Sequence, residues 1–298
     1  MKGLAAFVMA GRGQAVLAVV AFSLLSVVIP PASYLAGGAV GLVTLRRGWL
    51  EGLVVTAGAT LLAGALGWVA LGSPLPVLAL LALLWLPVWA LAQVLRGTSA
   101  QGPTLTVAAL VAAGAVLLVH GVVDSPAEWW RGVLEGGLVP MFEGQGIKLD
   151  PEVIARIAAV MTGVVAAATV LGASISLFVA RWWQALLYNP GGFGQEFRAL
   201  RLDWRVAAAT AVVALALLFA PGGLRRMAAE ILLVGLVVLT LQGLAVAHAL
   251  LGPRKGGRAW LTGLYVALVV LWPYPMVALA VLGWADAWVD FRRRFYKS

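Results

Sequence analysis

The chain alternates long apolar runs with short polar breaks. It shows neither the period-2 alternation of membrane strands nor the mixed polarity of a soluble core. Ten runs approach the roughly 20 residues a helix needs to span a bilayer: about 14–30, 32–45, 48–71, 75–95, 104–122, 157–181, 205–220, 228–251, 259–273 and 275–289. Pro30-Pro31 and Pro273-Tyr274-Pro275 separate two pairs of short runs. Each break is read as a hairpin or as a kink, because proline removes a backbone donor and clashes with the preceding turn. The pattern therefore predicts an all-α polytopic transmembrane bundle of about eight to ten helices, forming a single integral membrane domain over 1–298.

Composition removes the alternatives. Of 298 residues 62% are hydrophobic and 11% charged, with mean hydropathy +0.99. Soluble domains carry about 25% charged residues. A soluble enzyme, a disordered chain and a nucleic-acid-binding domain are excluded. There is no cysteine, hence no disulfide, thiolate ligand or cysteine nucleophile. The stretch before residue 14, with Lys2 and Arg12, lacks a convincing small-residue cleavage site and is read as part of a retained first helix.

The net charge of +9 orients the chain. With both proline breaks as hairpins and the N-terminus inside, 16 of the 21 basic residues fall on the cytoplasmic side. Arg131, Lys148, Arg156, Arg225 and Arg226 fall outside. That asymmetry is the positive-inside signature, with both termini cytoplasmic, and the basic surface fits anionic lipid better than nucleic acid. Segment 124–156 holds six of the twelve acidic residues and Trp129-Trp130. It reads as an outer interfacial segment, or as a lid over an external cavity. The 13 tryptophans cluster near run ends, among them Trp49, Trp182, Trp183, Trp204, Trp260, Trp272, Trp284 and Trp288, as an aromatic belt does. Glycines inside the runs, such as Gly37, Gly38 and Gly41, suit close helix packing, within one chain or between copies in a homo-oligomer.

Candidate chemistry is sparse. Ionisable residues inside spans are costly and mark function by default, yet Glu51 and Glu230 sit at run ends. Glu51 is matched to Arg46 and Arg47, and Glu230 to Arg226 at i−4. No HExxH, acidic–histidine cluster or GxxxxGK[ST] occurs, so neither a metal site, a cofactor nor an enzymatic activity is expected. Polar or amphipathic groups that could line a ligand pocket are Trp85 and Trp89, one turn apart, with Gln242 and Tyr265; helix or lipid contact is the competing reading for the tryptophans. Segment 182–204 reads as a cytoplasmic loop. Its Asn189-Pro190-Gly191-Gly192 stops a helix, and Phe193, Phe197 and Leu200 then have the spacing of a short amphipathic helix. Asn189, Phe193, Glu196, Arg198 and Arg201, with Asp286, Asp290 and Arg294 near the C-terminus, form a candidate surface for a partner or for phosphates. Glu196 and Asp203 are placed to hold Arg198 and Arg201, and Asp290 to pair with Arg294.

The run from Arg181-Trp182-Trp183-Gln184 through Asn189-Pro190-Gly191-Gly192-Phe193, with Glu196-Phe197 and Leu200-Arg201-Leu202, resembles the proteobacterial branch of the YybS-like family. The stretch from Gly283 to Asp286, Asp290 and Arg292 resembles it too. The family comprises bacterial inner-membrane proteins carrying a domain of unknown function and is similar to the S components of energy-coupling-factor vitamin transporters. Pro30-Pro31 and Arg46-Arg47-Gly48 fit that comparison. The resemblance implies a non-enzymatic small-molecule binding or transport subunit in the inner membrane, with energy-coupling or other membrane subunits as partners. The alternatives are a membrane scaffold acting through its basic face and, last, a lipid-modifying enzyme using Glu196, Asp203, Asp286 and Asp290.

Overall fold

The computed structural model describes residues 1–295, with every side chain except those of Leu71, Arg294 and Phe295. Lys297 and the Arg294 side chain, and with it the expected Asp290–Arg294 pair, lie outside the described residues. All regular structure among the described residues is helical. In chain order the helices are α1 (Lys2–Ala10), α2 (Arg12–Leu25), α3 (Ala32–Arg47), α4 (Trp49–Leu71), α5 (Leu75–Leu80), α6 (Leu86–Thr98) and α7 (Gln101–Val122). Then follow α8 (Pro126–Glu143), α9 (Pro151–Ala158), α10 (Met161–Tyr188), α11 (Gly192–Arg198) and α12 (Trp204–Phe219). The last are α13 (Gly222–Leu251), α14 (Gly257–Val270), α15 (Tyr274–Val289) and α16 (Phe291–Phe295). A single π-helical turn, Leu81–Trp85, joins α5 to α6.

Every apolar run has become a helix. Five stretches are long and apolar enough to cross a membrane: Trp49–Ala70, Leu75–Thr98, Gln101–Val122, Met161–Tyr188 and Gly222–Leu251. Outward positions on the helices are themselves apolar, among them Leu61, Trp68, Val111, Leu118, Val212 and Val269. Exposed apolar area on that scale is untenable in water and natural in lipid. The chain is a multi-pass, all-α membrane protein.

Local chemistry sets the breaks. After Leu25 the chain turns through Pro30-Pro31, and α3 packs against α2, so this break is a hairpin rather than a kink. Gly48 separates α3 from α4 at φ +100°, a conformation open to glycine and strained for other residues. Asp150 and Asp203 cap α9 and α12, accepting the N–H of Glu152 and Arg205 at 2.8 Å each. The acidic segment 124–156 folds into α8 and α9, which pack on each other. Within α9, Ile154 and Ala158 face inward while Glu152 pairs with Arg156 on the other side at 2.7 Å.

The chain divides into two compact units. Unit 1 is Met1–Val107, Thr169–Arg201 and Ala245–Arg258, and unit 2 is Ala108–Ala168, Leu202–Leu244 and Ala259–Ser298. In unit 1 the buried positions Gly52, Val55, Ala59 and Ala63 make one stripe on α4, a helical spacing. In unit 2, α13 and α15 approach so closely that a Cβ on Gly243 would strike the Leu279 carbonyl oxygen, and one on Gly283 the Leu239 carbonyl oxygen. Glycine at both positions is what lets the two backbones touch.

Candidate functional site

The clearest constellation in unit 1 begins at Pro87. A proline inside a helix clashes with the carbonyl four residues back, here that of Leu83. The chain absorbs this by widening one turn: the Leu86 N–H donates to the Leu81 carbonyl, five residues back. The π turn lies near the middle of the Leu75–Thr98 span and carries Trp85 on its last residue.

Three segments meet there: α3, the π turn with α6, and the 169–188 part of α10. Tyr34 and Leu84 both lie against Gly172. A few residues on, Gly37 abuts Ser176 and Val88, and Gly41 abuts Ala180 and Val88. The registers rise together, so the three segments run parallel. Trp85 directly follows Leu84, and Ser176 lies about one turn on, at the Gly37–Val88 level, both close to the centre of their spans. Trp85 has no exposed surface, yet its indole Nε1–H has no acceptor; the Ser176 hydroxyl is likewise buried and unpartnered. Further along α10, Trp183 is also fully buried, packs on Phe22 with ring centroids 6.4 Å apart, and leaves its Nε1–H unpaired. Gln93 Nε2 and both amide atoms of Gln101 are unpartnered too. Every such buried polar side-chain atom found among the described residues belongs to unit 1. Each unmet donor costs about 1–3 kcal/mol relative to a bonded one.

The sequence placed Trp183 in an interfacial belt. The structure corrects that: its ring is inside the protein, because Ala180 and Trp183 lie one turn apart on the face α10 turns inward. Trp49, Trp204, Trp260, Trp272 and Trp288 do stand at the surface.

The four candidate pocket residues have different fates. Trp85 is in the constellation just described. Trp89 is half-buried and donates its Nε1–H to the Trp49 carbonyl at 2.9 Å, which ties α6 to the start of α4. Gln242, in unit 2, is fully engaged: it accepts the Leu202 N–H at 2.8 Å and donates to the Gly283 carbonyl at 2.9 Å and to Asp286 Oδ2 at 3.1 Å. Its amide is a clamp between α13 and α15. Tyr265 is 45% exposed on α14.

In each unit, several residues of the basic segments are engaged within the chain. Arg181 grips Glu196 in a bidentate pair, donating from Nε and Nη2, and donates from Nη1 to the Gln184 side-chain oxygen. Glu196 holds Arg181, and Asp203 serves as a helix cap. Arg46 lies 3.8 Å above the Tyr188 ring. α10 continues to Tyr188, so the first third of the expected loop is helix. Phe193 and Phe197 pack with Phe178, and Phe197 meets His248 edge-on at 5.3 Å. Asn189, Arg198 and Arg201 are exposed. Asp290, at φ +50°, ends α15 and accepts from the Arg293 N–H at 3.3 Å. Asp286 presents no surface to a partner. It is 0% exposed, bound to Arg292 Nη2 at 2.6 Å, to Gln242 and to the Phe291 N–H.

Sequence reasoning missed two long-range pairings. Glu51 pairs with Arg12, 39 residues away, at 2.5 Å, not with Arg46 or Arg47. Glu230 pairs with His120, 110 residues away, at 2.6 Å, not with Arg226. An isolated ionisable residue beside an apolar run was the available signal; its partner was beyond any local spacing. Among the described residues no three His, Asp or Glu side chains converge as a metal site would require.

The fold and these buried polar groups define a helical integral membrane protein. No protein family, curated protein or solved structure matches the chain.

Proposed function

We propose that the protein is a small-molecule binding or transport subunit of the bacterial inner membrane, akin to an S component and working with partner subunits. Its ligand sits at mid-span in unit 1. One observation carries this reading: a π turn in the middle of a span holds a fully buried indole N–H with no acceptor, about one turn from the level of an unpartnered serine hydroxyl. Irregular backbone at membrane depth is tolerated where it is buried in protein or lines a site, and π turns recur at functional positions. Interrupted helices at the midplane are also where membrane carriers place their substrates. The unmet groups are mainly donors, so the ligand class is a small molecule with acceptor oxygens or ring nitrogens on an otherwise apolar frame.

The scaffold reading draws less support. Of the residues it would use, Asp286 is sealed inside the chain, whereas Asn189, Arg198 and Arg201 are exposed.

The test is extraction and mass spectrometry of small molecules from protein purified out of its native membranes. Trp85→Phe keeps an aromatic side chain but removes the indole N–H together with part of the ring volume; Trp68→Phe, on an exposed face, is the control. A compound present in the wild type and the control but reduced at least tenfold in Trp85→Phe supports the assignment. Equal content in all three, or none in any, defeats it.

A further inference from the structure

Unit 2 holds a second buried polar site that the ligand reading does not use. Glu230 is 2% exposed, in the first third of α13, the most apolar surroundings of any glutamate in the described chain. Its Oε2 lies 2.6 Å from His120 Nε2, near the C-terminal end of α7. The backbone of α10 closes the third side: a Cβ on Gly163 would come within 2.5 Å of the Glu230 Cα. Three helices therefore enclose one carboxyl, and a single polar contact links two of them.

A carboxylate alone in such a place would be very costly, and the hydrogen bond to His120 offsets part of that cost. Histidine and carboxylate both exchange protons readily, and the imidazole is the partly open member, 18% exposed against 2%. The pair thus has one partly open member and one sealed member. Other charges stand apart from it. The 161–168 part of α10 contributes no titratable side chain, and residues 108–119 of α7 contribute none. On α13 the nearest are Arg225 and Arg226, one turn before Glu230, and beyond α7 comes Asp124. α8, which reaches α10 through the Trp130–Thr162 hydrogen bond of 2.9 Å, carries Glu128 paired with Arg131 at 3.2 Å, and Glu135 and Glu143 further on. On α9, Glu152 pairs with Arg156.

We propose that His120 and Glu230 form a proton-binding site that joins α7 to α13. Proton gain or loss at His120 is relayed to Glu230 through their hydrogen bond. Occupancy of the site sets whether the two helices stay locked. The site stands on observations separate from the unit 1 ligand reading, and its test requires no ligand.

The probe is the proton itself. Full-length protein in lipid bilayers is cycled between pH 5 and pH 8, and infrared difference spectra are recorded. Singly introduced cysteines at Leu118 on α7 and Leu224 on α13 carry spin labels for a parallel distance measurement; the native chain, with no cysteine, adds no background. The expected result is a protonated-carboxyl difference band that is lost in Glu230→Gln and shifts in frequency in His120→Gln. The α7–α13 label distance should change with pH in the wild type and stay constant in both variants. Identical spectra for wild type and Glu230→Gln overturn the proposal. Should Glu230→Gln fail to fold, His120→Gln decides: an unchanged carboxyl band and an unchanged pH-dependent distance overturn it equally. Neither failure touches the ligand content measured through Trp85.

Discussion

Single residues carry most of the chemical information in this protein, since so few are polar. Trp85 and Trp183 are equal in burial and both lack an acceptor. Replacing either by phenylalanine removes an unmet donor but also leaves part of the indole's volume unfilled, so the two effects should offset and the stability of the ligand-free protein should change by no more than about 1 kcal/mol, as thermal scans in detergent would show. Asp286 is the opposite case. It has partners on every side, and Arg292 is 13% exposed beside it. Asp286→Ala removes the buried acceptor shared by Arg292, Gln242 and the Phe291 N–H and should cost about 3–5 kcal/mol in the same scans, whereas Asp290→Ala, at a helix end, should cost far less. A loss for Asp286→Ala no larger than for Asp290→Ala would contradict its role as an internal strut. At this scale the sequence was half legible. It marked Trp85, Gln242, Asp286 and Glu230 as unusual. It could not reveal whether each was satisfied, because the Gln242–Asp286 and His120–Glu230 contacts join residues 44 and 110 positions apart.

Elements were far more legible than contacts. A membrane forces each long apolar run to satisfy its own backbone, which makes helix the sole local answer, and proline and glycine then punctuate it. The π turn before Pro87 is a consequence of the same proline rule, though a single proline does not say whether a helix will kink or widen. Packing between elements depends on small residues whose partners are distant. Gly243 and Gly283 let α13 and α15 meet backbone to backbone. Gly243→Leu should force them apart and cost about 1–3 kcal/mol by overpacking, with Gln242 losing its grip on the Gly283 carbonyl. Gly132→Leu, with open space around it on α8, should leave the melting temperature unchanged. Equal effects at the two sites would contradict the close-packed α13–α15 seam.

For the whole molecule, hydropathy settles the solvent and charge suggests the orientation. Five helices are long enough to span, whereas α2 and α14, with 14 residues each, reach about 21 Å against a hydrocarbon core of about 30 Å. Those shorter helices are why the charge asymmetry carries the topology. A cysteine at Gln145, in the α8–α9 connection, should react with a membrane-impermeant maleimide in intact cells, and one at Thr98 only after permeabilisation. The reverse pattern would invert the orientation. What neither hydropathy nor charge reaches is the proposed ligand site, because its unmet groups appear only once α3, the π turn and α10 are side by side. The most direct measurement is therefore an electron cryo-microscopy map of the protein in lipid nanodiscs, prepared from its native membranes. Density that is not protein, within about 2.7–3.2 Å of Trp85 Nε1 and beside Ser176, is the predicted result. An indole N–H bonded to the chain itself, with apolar side chains closed over Ser176 and no further density, would contradict the account.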